Sequence, residues 1–151
     1  MADVVIEIKS TISSDSTDTV VVNTLGKMTC EKGIYCLSYE ETDQDGDVTD
    51  TLIKIDPDTV TIQRKGSMSS CLTVREGERY TSQYEAAYGS FSVGITGKRV
   101  RSLLDENGGR VLLEYEVDTN GSLLSNSSID TLKIFDSLIN ESMEGEVLPL
   151  S

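Results

Sequence analysis

Apolar and polar residues alternate in short runs from Val4 to Asp136, and turn signals close the runs. Period-two alternation puts successive side chains on opposite faces of a strand. The first run, Val4 to Ile12, sets Val4, Ile6, Ile8 and Ile12 on one face and Val5, Glu7 and Lys9 on the other. Ser13 to Ser16 turns the chain into a second run, about Asp18 to Cys30, which Gly26 interrupts. An isolated glycine in a strand signals a bulge or sharp bend. Glu31-Lys32-Gly33, the acidic loop Asp43-Gln44-Asp45-Gly46-Asp47, Asp56-Pro57-Asp58 and Gly66-Ser67 supply the next turns. Glu76-Gly77-Glu78, Ala87-Tyr88-Gly89, Asn107-Gly108-Gly109 and Asn120-Gly121 supply the rest. Proline presets one turn dihedral and Asn-Gly favours tight hairpins, so these are turns with a mechanism. The run from Ser90 to Asp105 is long enough to need its interruptions at Gly94 and Gly97.

Consecutive strands joined by short turns pair as an up-and-down meander, with one face buried and one solvated. An open meander leaves two edges exposed, whereas closure removes them. The expectation is an all-β, antiparallel up-and-down β-barrel of about 8–10 strands, with a two-sheet sandwich as competitor. The barrel is expected over residues 1–136. Residues 137–151 read as a C-terminal tail, either a short helix around Leu138 and Ile139 or a frayed end near Pro149.

Parity assigns Val4, Ile6, Ile8, Val20, Val22, Tyr35, Leu37, Tyr39, Ile53, Ile55, Val60, Ile62, Leu72, Val74, Phe91, Val93, Ile95, Val111, Leu113, Tyr115, Leu132 and Ile134 to the interior. Arg64 continues the Val60-Ile62 face, and Tyr80, Ser82 and Tyr84 are in phase with one another. An inward arginine keeps its proton and needs a partner. Three readings stand open for Arg64. Its head reaches water at the strand end, it holds an anionic ligand, or it pairs with Glu41, which extends the Tyr35-Leu37-Tyr39 face.

With 37% apolar and 5% aromatic residues, the core must rely on valine, isoleucine and leucine. A net charge of −13 argues against nucleic acid, because phosphate neutralisation needs a basic surface. The short cluster Lys98, Arg99 and Arg101 reads as a solvated face. No secretory signal and no run long enough to span a membrane is read, and three cysteines lack metal-type spacing. The expected setting is therefore cytoplasmic, with Cys30, Cys36 and Cys71 reduced; Cys30 and Cys36 flank one hairpin turn.

The chain contains no histidine, which removes the commonest general base and the usual zinc ligands. Neither phosphate-binding glycine motif occurs. No catalytic residue, cofactor or metal ligand is assigned. The loop from Asp43 to Asp50 places acidic residues in calcium-ligand phase, but Leu52 stands where a bidentate glutamate is required. It reads as a solvated hairpin tip.

Several segments resemble the YwiB-like bacterial proteins: Tyr35-Cys36-Leu37-Ser38-Tyr39-Glu40-Glu41, the Arg64-Lys65-Gly66-Ser67-Met68 corner, and Tyr84 through Tyr88-Gly89-Ser90-Phe91. Gly108-Gly109-Arg110-Val111-Leu112-Leu113-Glu114-Tyr115 and Leu132-Lys133-Ile134 fit as well. The resemblance implies a calycin-like barrel, a small cytoplasmic protein typical of Gram-positive bacteria, and no established activity or site residues. Calycins in general bind small, mostly hydrophobic molecules. This chain lacks tryptophan, hence the lipocalin G-x-W signature, and lacks a helical lid pair.

The leading functional expectation is a non-enzymatic barrel that binds a small, partly apolar molecule, anionic or not. Arg64, Tyr39, Tyr80, Tyr84 and Tyr115 are its candidate ligand-binding residues. The alternative is a filled barrel acting as a protein-interaction module or homodimer, for which outward Val5, Val21, Leu25 and Leu112 supply an apolar patch. An enzyme ranks third, because nothing positions a nucleophile.

Overall fold

A computed structural model, which describes residues 2–13, 16–42, 45–86, 89–105, 107–119 and 122–136, contains ten antiparallel strands around a closed barrel. They are β1 (Ala2–Ser13), β2 (Thr17–Glu31), β3 (Ile34–Thr42), β4 (Val48–Ile55) and β5 (Thr59–Lys65). β6 (Met68–Arg75), β7 (Arg79–Ala86), β8 (Gly89–Asp105), β9 (Gly108–Thr119) and β10 (Ser122–Asp136) complete the meander. Each strand pairs with its sequence neighbours, and β1 closes on β10 from Val4 opposite Asp136 to Ser13 opposite Ser127. That continuous register excludes the sandwich. The expected turns at Ala87-Tyr88 and Asn120-Gly121, Asp43 and Gln44 of the acidic loop, and the tail 137–151 lie outside the described residues.

The core follows the parity of the short strands. Met28 faces Leu37, Leu37 faces Ile53, Ile53 faces Ile62 and Ile62 faces Leu72, so five strands build one apolar layer. All five residues are buried, and Ile6, Val111, Leu113 and Ile134 meet them from the other wall. Burial of each large aliphatic side chain stabilises the fold by roughly 1.5–3 kcal/mol.

The wall is uneven in height. β3 to β7 run 9, 8, 7, 8 and 8 residues, whereas β1, β2, β8 and β10 run 12, 15, 17 and 15. This corrects part of the interior assignment. Val20 and Phe91 were expected inside, yet they are 60% and 46% exposed, and Ile12 on the same face is 50% exposed. Their parity is right, but β1 and β2 carry Ile12 and Val20 past the level at which the opposite wall ends, and Phe91 stands opposite Tyr84 near the first residue of β8.

The glycines divide. The register shifts between Gly97 and Arg99, so the expected interruption there is a bulge. At Gly26 the β1–β2 register is unbroken, against the expected bulge. That position is glycine for close approach: a Cβ would lie 2.6 Å from the Ser38 carbonyl oxygen and 2.7 Å from Ile6 Cδ1.

Candidate functional site

One level above the Leu37-Ile53-Ile62-Leu72 layer, the same strands present polar side chains. Tyr39 stands opposite Thr51, Thr51 opposite Arg64, Arg64 opposite Ser70 and Ser70 opposite Tyr84. Each of the first four lies two residues along its strand from a residue of the apolar layer, so all point to the barrel interior. Tyr39, Thr51 and Ser70 are buried, while Arg64 and Tyr84 are half-buried. The row lies near the upper end of the short wall, where Arg64 is followed by the last residue of β5.

Two hydroxyls in this row have unusual surroundings. The Tyr39 hydroxyl and Thr51 Oγ1 are buried, and neither closes a hydrogen bond among the described residues. An unsatisfied buried polar group costs about 1–3 kcal/mol, so such a pair in a folded protein calls for an explanation. Burial, and next the negative charge of Glu41, push the Tyr39 phenol up to about 12; the Arg64 cation and Thr51 act in the opposite direction. At neutral pH the phenol therefore keeps its proton and can donate, with Thr51 and Glu41 within its electrostatic reach. Arg64 forms neither an ion pair nor a hydrogen bond among the described residues, so the expected pairing with Glu41 is not made. Phenol, hydroxyl and guanidinium thus offer donors on neighbouring strands, a set suited to an anionic or strongly accepting group.

Among the sequence-derived candidates, Tyr39, Arg64 and Tyr84 share this row. The Tyr84 ring stacks on Phe91, with centroids 5.1 Å apart and planes 8° from parallel. Tyr80 is elsewhere, which corrects its grouping with Tyr84. Its hydroxyl donates to Glu78 Oε2 at 2.7 Å beside the β6–β7 turn, because four residues along β7 carry it to the opposite end of the barrel. Tyr115 is buried on β9 opposite Gly97 and Ser128, away from the row. Thr51 and Ser70 went unnamed, although parity places Thr51 on the Ile53-Ile55 face and Ser70 on the Leu72-Val74 face. Small hydroxyl residues raise no alarm in a strand pattern.

The outside of the same region carries a groove of about 780 Å³. Its lining combines outer-face residues such as Leu25, Lys27, Leu52 and Lys65 with Tyr39 and Thr51 of the interior row. Its charges are mixed, and Lys27 is already paired with Asp3.

The profile of a domain of unknown function, DUF1934, matches residues 6–130. The uncharacterized β-barrel protein YwiB of Bacillus subtilis (strain 168) is 25% identical over 115 residues, covering 76% of this chain and 80% of that protein. The crystal structure of the Bacillus subtilis ywiB protein superposes with a TM-score of 0.79 at 22% identity, covering 89% of this chain and 92% of the other. The likeness to that structure confirms the all-β barrel.

Proposed function

The chain belongs to the DUF1934 family, and from that premise we propose that its barrel binds a small anionic molecule with an apolar body at the upper end of the short wall. Arg64 holds the anionic group, and the Tyr39 and Thr51 hydroxyls complete its hydrogen bonds. The apolar body lies against the inner side of the long strands, where Ile12 and Val20 are exposed beyond the core. A few convergent polar groups beside an apolar surface are the usual make-up of a small-molecule site. The observation that carries this reading is the pair of buried hydroxyls beside Arg64, none of which has a hydrogen-bond or ion-pair partner among the described residues. A carboxylate or phosphate satisfies all three, and a guanidinium binds either in a bidentate manner. No reaction is assigned.

The test uses anilinonaphthalene sulfonate as an anionic, apolar probe, together with native mass spectrometry of freshly purified protein. Arg64→Ala is expected to weaken probe binding about tenfold, the loss of one charge-assisted hydrogen-bonded contact. Tyr80→Phe, which lies off the row, serves as the control and leaves binding unchanged. Equal probe affinity in the native protein and Arg64→Ala overturns the reading.

A further inference from the structure

The barrel is closed below Gly26 and parted above it. β2 pairs with β3 only from Gly26 opposite Tyr39 to Glu31 opposite Ile34. Above that point, among the described residues, Thr17 to Leu25 pairs with β1 on one side and with no strand on the other. This stretch therefore presents a row of unused backbone donors and acceptors, the template that sheet edges offer to another strand.

Proteins guard such edges with lysine, proline, bulges or brevity. Thr17 to Leu25 has neither lysine nor proline, and its register with β1 is unbroken over its whole length. It carries exposed apolar side chains on both faces: Val20 is 60% exposed on the inner side, and Val21 and Leu25 are 52% and 72% exposed on the outer side. Asp18 is its one charged residue in a chain of net charge −13. The facing end of β3 differs, since Glu40 and Glu41 supply the charge that β2 lacks.

We propose that Thr17 to Leu25 is the interface of a symmetric homodimer, in which β2 of one protomer pairs antiparallel with β2 of its partner. The occupant is a second copy because the edge complements itself. Centred on Val21, the pairing sets Val20 against Val22, Asp18 against Thr24 and Thr17 against Leu25, with no like charges opposed and apolar contacts on both faces. A two-fold axis needs one surface that recognises itself, and a single antiparallel strand meets that condition. The overall negative charge opposes association, so the dimer tightens as salt rises. This inference is independent of the interior row and stands or falls without it.

The experiment is sedimentation velocity of the full chain over a wide concentration range, with Val21→Lys as the blocking variant. The native chain is expected at twice the chain mass, more so at high salt, and Val21→Lys at the monomer mass with an unchanged circular dichroism spectrum. A second variant needs no inference from loss. Val21→Cys, with Cys30, Cys36 and Cys71 replaced by serine, places two thiols across the axis within disulfide reach. It is expected to cross-link on mild oxidation, whereas Leu103→Cys in the same background, exposed but off the edge, does not. A native chain that stays monomeric at every concentration overturns the proposal, as does equal cross-linking of the two cysteine variants. Amide protons of Thr17 to Leu25 that resist exchange in a monomer overturn it too, because the edge is then covered within a single chain.

Discussion

The Arg79 guanidinium clasps the Asp118 carboxylate with two hydrogen bonds, Nε to Oδ2 at 3.0 Å and Nη2 to Oδ1 at 2.7 Å. The pair bridges β7 and β9 across β8, and it passes directly over Gly94, where a Cβ would lie 2.0 Å from Nη2. Glycine at that position leaves the corridor open. The carboxylate is largely shielded, with 12% of its side chain exposed, while the arginine is half-exposed. Gly94→Val and Arg79→Ala are each expected to lower the melting temperature by several degrees. Their double variant should lose hardly more than either alone, since both remove one bridge. A thermal-unfolding double-mutant cycle checks this, and additive losses would show that Gly94 acts by some other route.

The Tyr39 hydroxyl makes a second prediction with two readouts. Removal of a buried, unpartnered hydroxyl leaves the ring in place, so Tyr39→Phe should raise stability by about 1 kcal/mol in urea denaturation. The same change should weaken probe binding, because a group kept at a cost to the empty fold is kept for something else.

Titration supplies the sign for that residue. In the fold the phenol is held at about 12, above the ordinary 10.0. Below pH 10 both folded and unfolded chains keep the proton, and Tyr39 adds no pH dependence. As pH rises from 10 toward 12 the unfolded chain ionises first, so stability is lost over that window. The loss attributable to Tyr39 is on the order of 2 kcal/mol, and Tyr39→Phe should lack it. Near-ultraviolet absorbance should show a late tyrosine ionisation near pH 12 that vanishes in the variant.

Much of this architecture was legible in the residues, and the failures have physical causes. Parity placed Leu37, Ile53, Ile62 and Leu72 inside, and all four are buried. Parity also placed Val20 and Phe91 inside, but it encodes a face and says nothing of where along a strand the opposite wall stops. Gly26 and Gly97 read alike as breaks in long strands. Only register distinguishes the bulge at Gly97 from the close approach at Gly26. Arg64 and Tyr39 stood out in the candidate site as polar residues on an apolar face. Tyr80 did not belong with them, since phase along one strand cannot separate its two ends. The Arg79–Asp118 bridge left no trace in the sequence, because it joins strands that are not adjacent.

Register also decides the fate of two thiols. Cys30 stands opposite Tyr35 and Cys36 opposite Thr29, which places them one position apart across the β2–β3 hairpin. One step of register reverses the face, so their side chains leave opposite sides of the sheet. A disulfide needs Cβ atoms that approach within about 4.5 Å, which this geometry denies. Mild oxidation of the dilute protein should yield no peptide pair that links Cys30 to Cys36 within one chain. Its appearance by mass spectrometry would mean that the hairpin is out of register.

Two isoleucines on the same nominal face separate burial from parity. Ile53 is 1% exposed in the layer shared with Leu37 and Ile62, whereas Ile12 on the overhanging part of β1 is 50% exposed. Truncation of a packed isoleucine removes contacts on every side and leaves a cavity, a loss of about 2–5 kcal/mol. Truncation of one already half in water forfeits only the area it still covered, under about 1 kcal/mol. Ile53→Ala should therefore shift the urea midpoint several times further than Ile12→Ala, at equal slope. Equal shifts would mean that the long strands are covered along their inner face, and that the uneven wall does not persist in solution.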